Sequence, residues 1–363
     1  MKRTLLIWLG SMALLGTACS GTEPECTSGC PPILTEPTPY TSYFTGDEAD
    51  AQVSPTFGIT MMGGRSEHDT AMRWFLRRAN GGDVLVLRST GSDGYNDYLF
   101  SELGIQVNSV ETLVINSLEA ANHEYVLEQI RNAEAIWMAG GNQFDYISFW
   151  RNSDMKQALN DHINVKRGVI GGTSAGMAIL GEWYYSAENG SIVSREALSN
   201  PFDNRLTLDN DFLNINLLTN LVTDTHYANR DRQGRHSAFL ARLAQQNNTR
   251  VFGIACDEYT AVNISADGTA RVYGDAPAES DAVYFIQSGC DATALPEIIE
   301  SSTPLTWNQN QQALYVYKVV ADGSGNATFN LNNWNEGNAG SWHNWYIEAG
   351  VWNEKPATAP NCN

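Results

Sequence analysis

The sequence predicts an α/β fold, a mostly parallel sheet sandwiched by helices, with a β-rich extension at the C-terminal end. Three observations carry that expectation. Short aliphatic runs at 56–62, 84–88, 113–116, 135–139 and 168–170 recur at intervals that leave room for a helix between them. The spacers have helical periodicity, with Met72, Phe75, Leu76 and Ala79 on one stripe and Tyr125, Val126 and Ile130 on another. Near Thr306 the pattern changes to β-type runs with glycine turns.

Strands alternating with amphipathic helices place ligand sites beyond the strand C-termini. The pairs Gly63-Gly64, Gly140-Gly141 and Gly171-Gly172 each follow an apolar run directly. Three strand ends are therefore expected to converge on one site. After Thr306, the runs 313–320 and 327–331 flank Asp322-Gly323-Ser324-Gly325 and read as a hairpin. The tail that follows carries Trp334, Trp342, Trp345, Tyr346 and Trp352. Packing over a sheet edge is the expectation for it, and a sugar-binding face is the alternative.

The N-terminal segment 1–19 has the order of an export signal: Met1-Lys2-Arg3, an apolar run over 5–15, then Gly16-Thr17-Ala18-Cys19. Small residues before Cys19 resemble a bacterial lipobox, which predicts a lipid anchor at Cys19 in the outer membrane, with plain secretion as the alternative. Segment 20–55 is rich in Pro, Thr, Ser, Glu and Asp and reads as a tether or leader. Segment 56–300 is expected to be the catalytic α/β domain, and 301–363 the extension packed on it.

Composition narrows the function classes. With 42% hydrophobic and 10% aromatic residues, the 363-residue chain has the material for a large core. A net charge of -19 argues against nucleic acid or an anionic lipid surface as partner and is compatible with a cationic substrate. Cys256 ends an apolar run and reads as a buried free thiol, whereas Cys26, Cys30, Cys290 and Cys362 are available for two disulfides. No histidine lies near Cys26 and Cys30, so no metal or other cofactor is expected.

The segment Gly172-Thr173-Ser174-Ala175-Gly176 is a G-x-S-x-G turn between a buried run and an apolar helix start, the pattern of a nucleophile elbow. The N-H of Ala175 and the backbone at Gly141 are the expected oxyanion donors. A serine hydroxyl needs a base, and His226 closes the aliphatic run 217–222, whereas His123 and His162 fall on polar helix faces. Glu258, at the end of the next strand, is the expected orienting acid, with Asp257 and Asp224 as alternatives. The three groups are expected at one rim of a shared sheet. Their order of Ser, His, Glu differs from the Ser, Asp/Glu, His order of α/β-hydrolases.

Three blocks resemble the cyanophycinase and aspartyl dipeptidase group of serine peptidases, which share a fold with class I glutamine amidotransferases. These are Gly140-Gly141-Asn142-Gln143, the segment Gly171 to Gly176, and Asp224-Thr225-His226-Tyr227 continued by Arg230, Arg232, Gly234 and Arg235. The likeness spans about 57–265. It implies Ser174 as nucleophile, His226 as base and Glu258 as orienting acid, with Gln143, Asp224, Thr225, Arg230, Arg232 and Arg235 around the substrate. It also implies an extracellular exopeptidase that releases β-Asp-Arg dipeptides from cyanophycin-like polymer. Cleavage of short Asp-X peptides and a non-catalytic binding role are the alternatives, and a homodimer is compatible with either. Thr225 stands where cyanophycinases carry glutamine, and Asn142 where they carry aspartate. Arg230, Arg232 and Arg235 cannot share one face of a regular helix, which predicts that at least one is a structural ion-pair residue.

Overall fold

The computed structural model describes residues 37–275, 281–291 and 294–362. The export signal, Cys19, Cys26 and Cys30 lie outside the described residues. The fold opens with β1 (Thr41–Gly46), β2 (Gly58–Met62), α1 (Asp69–Arg78), β3 (Asp83–Arg88) and β4 (Ser109–Val114). It continues through α2 (Leu118–Ala121), α3 (Glu124–Asn132), β5 (Ala135–Met138), α4 (Gln143–Trp150), α5 (Asp154–Asp161), β6 (Val169–Thr173) and α6 (Ala175–Ala178). A two-stranded ribbon, β7 (Tyr184–Tyr185) and β8 (Leu208–Asp209), brackets α7 (Ser194–Ser199) and leads to β9 (Leu221–Asp224), α8 (Gln233–Asn247) and β10 (Phe252–Cys256). Strands complete the chain: β11 (Thr260–Ser265), β12 (Thr269–Gly274), β13 (Ala282–Ser288), β14 (Leu314–Val320), β15 (Thr328–Asn330), β16 (Gly337–Asn338), β17 (Ser341–Glu348) and β18 (Val351–Pro356).

The first sheet has the order β1-β4-β3-β5-β6-β2-β11-β12-β15-β16. Its middle strands, from β4 through β2, run parallel and are buried on both faces. Period-two alternation divides their side chains between two helical layers. Val84, Val86 and Trp137 pack with Met72, Phe75 and Leu76 of α1, while Leu85, Leu87 and Ile136 pack with Val126 and Ile130 of α3 and with Trp150 of α4. The expected mostly parallel layer between helices is present.

Three local expectations are corrected. Part of the segment 20–55, read as a tether, is structural: β1 pairs antiparallel with β4, and Asn96 reaches across to the Tyr43 carbonyl. The hairpin expected over 313–331 does not form. Instead β14 lies between β13 and β17 in a second sheet, while β15 joins β12 of the first, so the turn at 322–325 carries the chain between layers. Burial decides the placement, because Phe329 stacks on Phe285 of the facing sheet rather than pairing back along β14. The third concerns β9 and β10. They belong to this second sheet, of order β18-β17-β14-β13-β10-β9, and not to the layer that holds β6.

One face of the second sheet, with Val283, Phe285 and Val319, packs in the same core as Ile59, Met61 and Val262 of the first. Its other face, with Tyr284, Ile286 and Val316, is covered by Phe239, Leu240 and Leu243 of α8. Trp334 and Trp345 are buried in these cores, so packing accounts for both. Cys256 is a buried free thiol, and Cys290 is bonded to Cys362.

Candidate active site

The candidate site lies where the ends of β2 and β6 in the first sheet meet the ends of β9 and β10 in the second. Ser174 sits between β6 and α6 with φ 51 and ψ −113, a left-handed conformation that a non-glycine residue holds only when its surroundings impose it. Glycines make this turn sterically feasible. A Cβ on Gly172 would lie 2.5 Å from the Gly176 carbonyl carbon, and one on Gly176 would lie 2.0 Å from the Met138 oxygen. The helix that follows is a single turn, and Thr223 of β9 ties it down by donating its hydroxyl to the Met177 carbonyl at 2.8 Å.

His226 and Glu258 are registered against each other by the backbone. The N-H of Tyr227 donates to the Cys256 carbonyl, the N-H of Ala228 donates to Asp257 Oδ1, and the N-H of Glu258 donates to Asn229 Oδ1 at 2.8 Å. The loop after β9 is therefore stitched to the end of β10. The end of β2 joins both halves. Three consecutive carbonyls, those of Met62, Gly63 and Gly64, accept the N-H groups of Ser174, His226 and Tyr259 at 3.0, 2.9 and 3.1 Å. Gly64 has φ +119, and a Cβ there would come within 2.3 Å of the His226 ring. Only glycine lets this strand end pass under the imidazole.

Three side chains distant in sequence thus meet. Ser174 Oγ lies 2.7 Å from His226 Nε2, and His226 Nδ1 lies 2.7 Å from Glu258 Oε1. A carboxylate accepts only, so Nδ1 carries the proton and Nε2 is left free to accept from the serine hydroxyl. Burial, opposed by the Glu258 hydrogen bond and assisted by the charges of Arg230 and Arg232, holds the imidazole below its ordinary pKa of 6.5. Burial also works against ionised Glu258, but the bonds from His226 and Arg65 outweigh it and hold the carboxyl below its ordinary range. The base is therefore neutral and the acid charged at pH 7. Ser174 is half-buried and reachable, whereas His226 and Glu258 are buried at 8% and 7% exposure.

The other candidate residues divide into two groups. Gln143 opens α4 and donates to the Tyr185 carbonyl at 2.8 Å, and Gly140 comes so close to Ser174 that a Cβ there would lie 3.5 Å from the serine Cβ. Gly141 follows it, exposed, at the same strand end, which the Tyr146 hydroxyl anchors by donating to the carbonyls of Ala139 and Gly140. Ala175, directly after the nucleophile, is buried. Arg230 is exposed and lies 3.7 Å from Glu258 Oε1, while Arg232 donates to the Thr225 carbonyl at 2.6 Å. These stay around the site.

Asp224 and Arg235 correct the expectation. Both are buried, and they form a two-bond pair with each other, with Arg235 Nε 2.8 Å from Asp224 Oδ2. The expected structural ion pair exists, and Asp224 is its acid instead of a group turned to substrate. Thr225 is likewise buried, at 4% exposure. Asp257 is excluded as the orienting acid, because its oxygens accept from the N-H groups of Ala228 and Ala282. His162 is not on a polar face. It is buried, with Nε2 3.1 Å from the Val169 carbonyl, and burial lowers its pKa to about 4. Two participants escaped the sequence reading: Asn229, inside the histidine block, and Arg65, whose Nε lies 2.9 Å from Glu258 Oε2. The available signal for Arg65 was its position directly after the strand-end pair Gly63-Gly64.

Residues 95–272 match the model of Peptidase family S51. Cyanophycinase of Synechococcus elongatus is 28% identical over 210 residues, which cover 55% of this chain and 59% of that protein. Cyanophycinase of Geminocystis herdmanii (strain PCC 6308) is 26% identical over 176 residues, 48% of this chain and 58% of that protein. The chain thus spans less than two thirds of the length of these relatives. Among solved structures, a peptidase from an acI-B1 Actinobacterium has a TM-score of 0.46 at 14% identity, covering 63% of this chain and 90% of that one. A putative Peptidase E protein from Listeria monocytogenes EGD-e has a TM-score of 0.41 at 16% identity, covering 61% and 99%.

Proposed function

Taking as premise that the chain is a relative of the S51 peptidases through residues 95–272, we propose that it is a serine peptidase cleaving β-aspartyl bonds through an acyl-enzyme. The observation that carries this reading is the continuous relay from Ser174 Oγ through His226 to Glu258, with both links at 2.7 Å. In the first half-reaction Ser174 Oγ attacks the scissile carbonyl while His226 Nε2 takes the hydroxyl proton. Glu258 stabilises the imidazolium that results. Backbone N-H groups at Ala175 and Gly141 bear the negative charge on the carbonyl oxygen. The tetrahedral intermediate collapses as His226 returns the proton to the departing amine. Water then attacks the seryl ester with His226 again as base, releasing the acid and regenerating Ser174.

The proposed substrate is cyanophycin-like polymer, released as β-Asp-Arg dipeptides. Its support is that the relatives are cyanophycinases, together with the exposed Arg230 and partly exposed Arg232 beside the relay, cations suited to a free substrate carboxylate. The proposal extends to export, from the segment 1–19. Purified protein incubated with cyanophycin and with a panel of short aspartyl peptides tests the reading. Solubilised polymer that yields dipeptides without free arginine is the expected result. Cleavage of short peptides alone would move the assignment to an aspartyl dipeptidase. No turnover of either, with ligand retained equally by wild type and Ser174→Ala, would leave a binding protein.

A further inference from the structure

Glu258 has two oxygens, and the relay uses one. Oε1 accepts from His226, while Oε2 faces Arg65 Nε at 2.9 Å. The carboxylate is almost buried, so an oxygen without a partner would be desolvated and uncompensated, and the soft terminal torsion of a glutamate would let the group rotate away from the imidazole. Arg65 removes both problems with one bond. Its own placement is unusual: φ is 77 at Arg65, directly after the φ of +119 at Gly64. Arginine in the left-handed region is disfavoured relative to glycine, and such a conformation persists only where the surrounding structure holds it. The strand end that supplies carbonyls to the backbones of Ser174, His226 and Tyr259 thus continues, one residue later, into a side chain that grips the acid.

We infer that Arg65 is a positioning residue for the relay, fixing the Glu258 carboxylate so that it holds the His226 imidazole, and that the segment Met62 to Arg65 is a single template for all three members. The inference rests on the serine-peptidase reading. Arg65 is 60% exposed along its side chain, so a substrate-binding role competes with this one and the test must separate them. Among the described residues, the charged groups facing Glu258 and His226 are Arg65 from the β2 end, Arg230 from the turn after β9, and Arg232 at the start of α8. Asp257 points instead to the N-H groups of Ala228 and Ala282. With Arg65 removed, Glu258 holds the ring less firmly, and because that bond favours the imidazolium, His226 should protonate at a lower pH.

The experiment follows the rate at which a fluorophosphonate probe labels Ser174 between pH 4.5 and 8, in full-length wild type, Arg65→Ala, Arg65→Lys, Glu258→Ala and the Arg65→Ala/Glu258→Ala double variant. The probe has no carboxylate, so it reads nucleophile activation and not substrate binding. Arg65→Ala is expected to slow labelling on the order of tenfold and to move the acid limb downward by about half a pH unit. Arg65→Lys should restore part of the rate, and in the Glu258→Ala background the Arg65→Ala change should have no further effect. An unchanged rate and pH profile in Arg65→Ala, or an equal loss with and without Glu258, would overturn the inference. Failure of the wild type itself to label would overturn the serine-peptidase reading, and this inference with it.

Discussion

At the level of single residues, the site works by assigning opposite protonation states to neighbours. His226 is kept neutral by burial and by the arginines around it, while Glu258 is kept charged by His226 and Arg65. Because the base form of His226 persists below the ordinary histidine value, the midpoint of the acid limb of kcat/KM against pH should lie below pH 6.5. A profile whose acid limb lies above 6.5 would contradict the arrangement. Ser174→Ala and His226→Ala should each abolish turnover with an unchanged circular dichroism spectrum. Asp224 and Arg235 act differently, as a buried pair that supports the loop after β9. Removing one partner strands the other charge, so Arg235→Met should lower stability by roughly 3–5 kcal/mol in denaturant titration. Asp224 is held below its ordinary value of 3.8 because Arg235 outweighs the effect of burial. The pair's contribution should therefore be present above pH 3.8 and disappear as acid protonates the folded carboxylate.

At the level of elements, the end of β2 does the assembling. Its consecutive carbonyls hold backbone from β6, from the loop after β9 and from the link between β10 and β11. Gly64→Ala should displace the imidazole, since the added methyl would overlap it, and should reduce turnover by about tenfold or more while also lowering the melting temperature, because φ +119 strains any residue with a Cβ. Wild-type turnover in that variant would show that the strand end is not a template. Much of this was legible in the sequence, because local patterns are local physics. The β6 turn announces itself by Gly172 and Gly176 around Ser174, and α1 by the stripe of Met72, Phe75 and Leu76. Partnership was not legible. An aliphatic run such as that of β9 states that a strand is buried without stating in which sheet, and a turn such as 322–325 looks the same whether it returns to its own strand or crosses to another layer. Arg235 could not be told from a substrate ligand, since pairing with Asp224 depends on how α8 lies against β9.

At the level of the whole molecule, two sheets divide the site: the parallel strands present Ser174, and the second sheet presents His226 and Glu258. The tight link at Asp257 to Tyr259 carries the chain from one sheet to the other, with Tyr259 at φ 63, and so places Glu258 at the junction. The C-terminal strands are part of that junction, since β13 and β14 build the sheet on which β10 rests. The Cys290–Cys362 bond closes the tail over this sheet across a separation of 72 residues. Replacing both cysteines by serine should lower stability by up to about 4 kcal/mol, measured by denaturant titration under non-reducing conditions. Whether the two sheets together make an active nucleophile is tested most directly by peptide mapping after fluorophosphonate treatment of the full-length protein. The account predicts one adduct, on Ser174, lost in His226→Ala. Modification of a different serine, or equal labelling of Ser174 without His226, would contradict it.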